Sequence, residues 1–374
     1  MAKLCKILFI SAPVGAGHIK AAQAVSLALR KNNVHIESKI ANVFDFFNPM
    51  IGRTILKVYL SILEIFPQLY GMAYNWGNES HLALAGRKII SGYLARRMEK
   101  YILDYNPAVI VCTHATPAGL VAYLIKKKKL NIPVVAVVTD FVVHRLWIYP
   151  EIQHYIVANK NMRDFLVQYG IEHNDIAVIG IPVDEKFSIV PDKQQLLSEL
   201  QFDPKIKTIL IMGGGAGMLP MDDIALCCED IELTLQIIVV TGNNKSIYNK
   251  LVNVQPRLSN RVRILEYVDN IHELMAVSDL IISKPGGMTS AEALCQGLPM
   301  LIYRPIPGQE EANTNYLVKC QAALRADSLG EIQMIIKRLF IEEPEQLIFL
   351  QQNSLAISQA ASAQRIAEYI VNIE

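Results

Sequence analysis

The stretch Leu280-Ile-Ile-Ser-Lys-Pro-Gly-Gly-Met-Thr-Ser-Ala-Glu292 passes from an apolar strand through two glycines into a helical pattern. Gly286 and Gly287 carry no Cβ, so a ligand can come against their backbone. A helix opening near Thr289 would turn its free N–H groups toward an anion. With Lys284 just ahead, the pattern suits a diphosphate. Glu292 stands one turn further on, where its carboxylate would accept hydrogen bonds from a ribose. The spacing Thr289-Ser-Ala-Glu292 also fits a capping box, in which Glu292 would only return a bond to the helix start. One strand later, Pro305-Ile-Pro-Gly-Gln-Glu-Glu-Ala-Asn313 opens another helix. Gln309 and Glu310 would read sugar hydroxyls there, although first-turn acids are also favoured by the helix dipole, by about 0.3–1 kcal/mol.

Outward from that stretch, short β-rich runs alternate with helical patterns along the chain, the mark of parallel sheets with crossover helices. Strands are expected at 4–11, 34–40, 108–112, 134–138, 155–157 and 177–179, then at 208–212, 236–240, 262–265, 280–283, 300–303 and 322–325. A chain of 374 residues, 52% of them hydrophobic, is too long for one ordinary core. The expected class is α/β, with two Rossmann-like parallel-sheet domains facing across a cleft. Their expected spans are 1–185 and 186–356, joined near Gly180–Phe187, with a last helix at about 357–374 packing back on the first domain.

Mean hydropathy is high at +0.25, yet no apolar run is long enough to cross a bilayer, and no signal peptide is expected at Met1-Ala-Lys-Leu-Cys-Lys. The six cysteines show no zinc or C-x-x-C spacing and read as reduced core residues of a cytosolic protein. A net charge of +1 hides an asymmetry. Residues 1–190 carry 21 Lys and Arg against 13 Asp and Glu; residues 191–374 carry 15 against 22. A basic first half is expected to meet an anionic surface. Nucleic acid is not expected as a partner, because the basic residues lack interleaved stacking aromatics.

The post-strand loops hold the unusual residues. Ala12-Pro-Val-Gly-Ala-Gly-His18 departs from the dinucleotide fingerprint at Lys20, where a small residue belongs. Gly17 joins the candidate phosphate contacts. His18, at a helix start, suits removal of a proton from an acceptor hydroxyl, with a phosphate contact or a turn cap as the alternative. Gly213, Gly214 and Gly215, in Gly213-Gly-Gly-Ala-Gly217, would form an anion nest or a hinge. Asp140 or His144, after the fourth strand, would bind the acceptor or orient His18, although each alone is more often a satisfied structural residue, and His114, after the third strand, is more so. Between Pro49 and Trp76, an apolar helical stripe carries Arg53, Lys57, Phe66, Tyr70 and Trp76. A core helix would explain the stripe alone. Docking on an anionic membrane surface would explain the aromatics and the basic residues as well, each of the latter contributing about 1 kcal/mol.

Through Gly15-Ala-Gly-His18, the aromatic-basic segment, Thr139-Asp140 with His144, and Lys284–Asn313, the chain resembles a known family. It is that of the monogalactosyldiacylglycerol synthases and bacterial processive diacylglycerol β-glucosyltransferases, inverting glycosyltransferases of family 28 with the GT-B fold. The resemblance implies that Gly286, Gly287 and Thr289 meet the diphosphate, Glu292 the ribose, Gln309 and Glu310 the hexose, and main-chain groups at Val268 the uracil. It makes His18 the general base and sets Asp140 on the acceptor side. It further implies UDP-glucose or UDP-galactose as donor and a diacylglycerol-type lipid as acceptor. The protein would then be bacterial and cytoplasmic, attached peripherally to the inner face of the cell membrane. No metal or other cofactor is expected, and no Asp-x-Asp follows a strand. A UDP-sugar epimerase of the same architecture would have little need for the aromatic-basic segment. A non-catalytic UDP-sugar or lipid sensor would need no base.

Overall fold

Among the described residues, the alternating apolar runs form two sheets, each six-stranded and parallel throughout. The computed structural model describes residues 5–12, 16–32, 35–46, 96–189, 191–215 and 217–373. In the first sheet, β1 (Cys5–Ser11), β2 (Ile36–Asn42), β3 (Val109–Cys112), β4 (Val134–Val137), β5 (His154–Val157) and β6 (Ile176–Val178) lie in the order β2-β1-β3-β4-β5-β6. The strands β3 and β4 are buried from end to end, as expected where helices cover both faces. Helices α1 (Gly17–Asn32), α2 (Ala115–Lys126) and α3 (Lys160–Gln168), with a helical stretch over 96–105, accompany this sheet. On α1, Ala21, Ala22, Val25, Ala28 and Leu29 make one buried stripe at helical spacing.

In the second half, α4 (Lys193–Glu199) leads into β7 (Thr208–Met212), α5 (Met221–Cys227), β8 (Gln236–Val240), α6 (Lys245–Val254) and β9 (Arg261–Leu265). Then follow α7 (Ile271–Val277), β10 (Leu280–Ser283), α8 (Gly287–Cys295), β11 (Met300–Tyr303), α9 (Gln309–Lys319), β12 (Ala323–Ala326), α10 (Leu329–Lys337) and α11 (Pro344–Ile357). The sheet order is β12-β11-β10-β7-β8-β9. Counted from β7 within its own sheet, this is the 3-2-1-4-5-6 order of dinucleotide-binding folds.

The chain divides into one unit of Met1–Glu185, Pro307–Gln309 and Ala361–Glu374, and another of Lys186–Ile306 and Glu310–Ala360. The first unit thus includes α12 (Ser362–Val371). Its Ala363, Ile366, Ala367 and Ile370 recur every three or four residues and join Ile7, Phe9 and Val25 in one core. Ser362 Oγ anchors the start of α12 by donating to the Ile181 carbonyl (2.6 Å) and accepting from the Val183 N–H (3.1 Å).

All twelve expected strands form; four match the expected bounds and the other eight have an end displaced by one or two residues. The β2 strand starts at Ile36 because its pairing begins at Cys5↔Ile36. The α8 helix starts two residues earlier than the expected Thr289, with Gly286 as its N-cap. All six cysteines are free, three of them buried. Among the described residues, no helix is long and apolar enough to cross a membrane. The segment with Arg53, Lys57, Phe66, Tyr70 and Trp76 lies outside the described residues.

Each sheet has a point where successive crossovers leave in opposite directions. It falls between β1 and β3 in the first sheet and between β7 and β10 in the second. Open α/β sheets bind ligands beyond the carboxyl ends of such strands.

Candidate functional site

In the second unit, β7 and β10 end level with one another. Ser283 pairs with Met212 across the ladder, and its Oγ donates to the Met212 carbonyl at 2.7 Å. Beyond them the chain enters Gly213-Gly-Gly on one strand and Lys284-Pro-Gly-Gly on the other. The Gly286 N-cap is extended and supplies no side-chain cap, and the first bond of α8 runs from the Ser290 N–H to the Gly286 carbonyl at 2.9 Å. The N–H groups of Gly287, Met288 and Thr289 therefore lie ahead of the helical ladder, in the arrangement that receives anions. A Cβ built on Gly286 would meet nothing within 4 Å. Protein packing therefore does not require glycine there, whereas close approach of a ligand would.

With Gly286 as N-cap, the position from which a glutamate closes a capping box is Thr289. Glu292, one turn later and 4% exposed, cannot fill that role. The cradle is braced from α9. Asn313, also buried, donates from Nδ2 to the Pro285 carbonyl at 3.1 Å. Glu310 Oε2 accepts from the Ile306 N–H at 2.7 Å and so ties down the Pro-Ile-Pro-Gly lead-in. Burial lowers the Lys284 pKa, with Glu310 opposing; burial raises that of Glu310, with Lys284 opposing. Each charge favours the ionised form of the other, and a bound diphosphate would favour the lysine cation further.

The Gly213–Gly217 loop is held against the segment after β8. Asn244 Nδ2 donates to the Gly217 carbonyl at 3.0 Å, and the Asn243 N–H to the Gly215 carbonyl at 3.2 Å. Gly217 has φ +61°, and a Cβ there would fall 2.3 Å from the Thr241 carbonyl oxygen. Close backbone packing explains that glycine. Val268 is half-buried beyond β9, which ends at Leu265 and stands at the edge of the sheet, two strands from β7.

In the first unit, Gly17 and His18 open α1. The ends of β3 and β4 grip the histidine. His18 Nδ1 lies 3.0 Å from the Thr113 carbonyl and 2.7 Å from Thr139 Oγ1, while Thr113 Oγ1 donates to the His18 carbonyl at 2.9 Å. A carbonyl only accepts, so Nδ1 carries the proton and Nε2 the lone pair. Burial holds the His18 pKa down to about 4, the bond to Thr113 pulling the other way, so the ring is neutral at neutral pH. Its edge-on neighbour is His114, at 4.6 Å between centroids. His114 caps α2, its Nδ1 accepting from the Thr116 N–H at 3.1 Å; burial, with His18 and His144 nearby, keeps its pKa well below the usual value. It is a helix cap.

Asp140 is 4% exposed in the loop after β4. Pro307–Gln309 groups with this unit, and the Gln309 side-chain amide donates to the Asp140 carboxylate. His144 precedes a single 3₁₀ turn, Arg145–Trp147, with its ring 6.4 Å from that of Trp147. Sequence reasoning passed over Thr113, Thr139 and Asn313 as site residues. The available signal was a hydroxyl residue directly beyond an apolar strand. Among the described residues, no three His, Cys, Asp or Glu side chains converge as a metal site would require.

Two Rossmann-like units of this kind make the GT-B fold of nucleotide-sugar enzymes. The UDP-GlcNAc 2-epimerase from Neisseria meningitidis, solved with UDP-GlcNAc bound, has the same fold, with a TM-score of 0.62 over 98% of this chain and 100% of that one, at 20% identity. At that identity the likeness is one of fold alone. Residues 18–183 match the monogalactosyldiacylglycerol (MGDG) synthase family, and residues 208–363 match the glycosyltransferase family 28 C-terminal domain. The processive diacylglycerol beta-glucosyltransferase of Bacillus thuringiensis (strain Al Hakam) is 30% identical over 335 residues, 88% of this chain and 84% of that protein. Its counterpart in Bacillus cereus (strain B4264) is 29% identical over 381 residues, 98% and 96% of the two chains. The chain belongs to the monogalactosyldiacylglycerol synthase and processive diacylglycerol β-glucosyltransferase family, within glycosyltransferase family 28.

Proposed function

We propose that this protein transfers a hexose from UDP-glucose or UDP-galactose to a diacylglycerol-type lipid at a membrane surface, inverting the anomeric carbon and producing a glycolipid. The observation that carries the reading is the neutral His18 ring, aimed through Nδ1 so that Nε2 keeps its lone pair. A base needs that arrangement; a sensor does not. The names of its relatives support a lipid acceptor.

In this reading Lys284 and the N–H groups of Gly287, Met288 and Thr289 receive the diphosphate. Glu292 takes the ribose, main-chain groups at Val268 the uracil, and Gln309 and Glu310 the hexose. His18 Nε2 removes the proton from the acceptor hydroxyl, whose oxygen attacks the anomeric carbon while UDP leaves with the bonding electrons. Backbone N–H groups, the helix dipole and Lys284 take up the charge that grows on the diphosphate, so the mechanism calls for no metal. The protein would work peripherally on the inner face of a bacterial cell membrane, drawing lipid from an anionic surface.

The test is product formation from labelled UDP-glucose and UDP-galactose with diacylglycerol in mixed micelles. A glycosylated lipid is expected, and His18→Ala should lower kcat by roughly 10²–10⁴ while UDP still binds. Interconversion of the free UDP-sugars without a lipid product would overturn the transferase reading in favour of an epimerase. UDP binding with no turnover of either kind would leave a sensor.

A further inference from the structure

His18 has a carbonyl and a hydroxyl behind its ring where many catalytic histidines have a carboxylate. Thr113 directly follows β3 and supplies the carbonyl at 3.0 Å; Thr139 follows β4 and supplies the hydroxyl at 2.7 Å. We propose that Thr139 is a positioning residue for the transfer, its hydroxyl acting with the Thr113 carbonyl to hold His18 in the tautomer that leaves Nε2 free for the acceptor's proton. This rests on His18 being the base in the reading above.

The two partners do different things. A hydroxyl can donate or accept, so Thr139 alone would bond either tautomer. The carbonyl breaks the tie, because a proton on Nε2 instead would set the Nδ1 lone pair against the carbonyl lone pairs. The hydroxyl then serves as a second acceptor for the same N–H and fixes the plane and direction of the ring from a second strand. Thr139 is 3% exposed and Thr113 is fully buried, so neither hydroxyl has water to fall back on. The Thr113 hydroxyl is committed to the His18 carbonyl, which leaves only that of Thr139 for the ring.

During transfer the acceptor O–H bond breaks and its proton goes to Nε2. The bond from the acceptor oxygen to the anomeric carbon forms, and the bond from that carbon to UDP breaks. His18 becomes an imidazolium whose Nδ1–H still points at both oxygens, and charge-assisted bonds of that kind are stronger than neutral ones. Loss of the proton to water returns the ring to its starting tautomer.

The experiment compares the wild type with Thr139→Val, which keeps the size and removes the hydroxyl, and Thr139→Ser, which restores it. The readouts are kcat and KM for UDP-hexose, and the His18 tautomer from ¹⁵N chemical shifts in the substrate-free full chain. In the valine variant kcat should fall roughly 10- to 100-fold, the range for losing the hydrogen-bond partner that orients a metal-ligating histidine. Its KM should stay within about twofold. With the hydroxyl gone the ring is free to turn away from the Thr113 carbonyl that sets its tautomer, and the ¹⁵N shifts should then move from the Nδ1–H pattern toward a mixture of tautomers. Serine should rescue both effects. A valine variant with unaltered tautomer and turnover overturns the proposal, and so does one that loses turnover while the tautomer stays fixed. A shifted tautomer in a protein whose wild type makes no glycolipid keeps the hydrogen bond but removes its catalytic meaning, and in that case the transferase reading is what has failed.

Discussion

At Gly286 the protein leaves a space that a methyl group would enter without touching anything. Gly286→Ala should therefore change stability by less than about 1 kcal/mol, the scale of an N-cap substitution. UDP affinity measured by calorimetry should nevertheless fall clearly, because in the proposed site the added Cβ would stand where the diphosphate approaches. Gly217→Ala should behave in the opposite way. Its left-handed backbone and the nearby Thr241 carbonyl should cost about 1–3 kcal/mol in denaturant unfolding. His18 makes a separate prediction. Its pKa is held near 4, and the base must be unprotonated, so kcat/KM should run level as pH falls through 6.5 and drop only as pH approaches 4. An acid limb centred near 6.5 would show a solvated ring and sink that assignment. Much of the cradle could be read from the sequence, because strand, glycines and helix start are contiguous. The ambiguity of Glu292 could not be resolved there, since a capping box depends on which residue is the N-cap. Thr113 and Thr139 stayed hidden because their partner, His18, is 95 and 121 residues away in sequence.

Among the elements, α12 shows most plainly how far the first unit depends on distant sequence. Its apolar stripe could be read as amphipathic, and the final turns were expected to pack back on the first half. What the sequence does not disclose is that Ile366 and Ile370 are fully buried in the same core as the first strand. Ile366→Ala should lower the stability of the first unit by about 2–5 kcal/mol, the range for deleting a large aliphatic side chain from a packed interior. Differential scanning calorimetry should show one transition moving while that of the second unit stays in place. The lead-in to α9 is the other case. Two prolines and a glycine announce a shaped loop, but the bond from Ile306 to Glu310 and the brace from Asn313 to Pro285 come from side-chain geometry that no spacing rule encodes.

For the whole molecule, the class was legible because short, continuously apolar runs alternate with longer helical stretches along the chain, and parallel sheets follow from that alternation. Strand order was not, since the same alternation is compatible with several orders, and only the crossovers between β1 and β3 and between β7 and β10 decide where ligands go. The charge division also belongs to this scale. If the basic half meets an anionic leaflet, sedimentation with anionic liposomes should fall steeply as salt rises, because screening acts over about 8 Å at physiological ionic strength. Absence of binding at every salt concentration would count against membrane docking.

The place of α12 in the chain also bears on how the protein is made. Ile7, Phe9 and Val25 are synthesised early, but the helix that covers them emerges only after every strand of the second unit has been translated. Domains generally fold in the order they leave the ribosome. Here that order cannot complete the first unit, because part of its core is made only after the strands of the second, and its hydrophobic face stays uncovered until the last helix arrives.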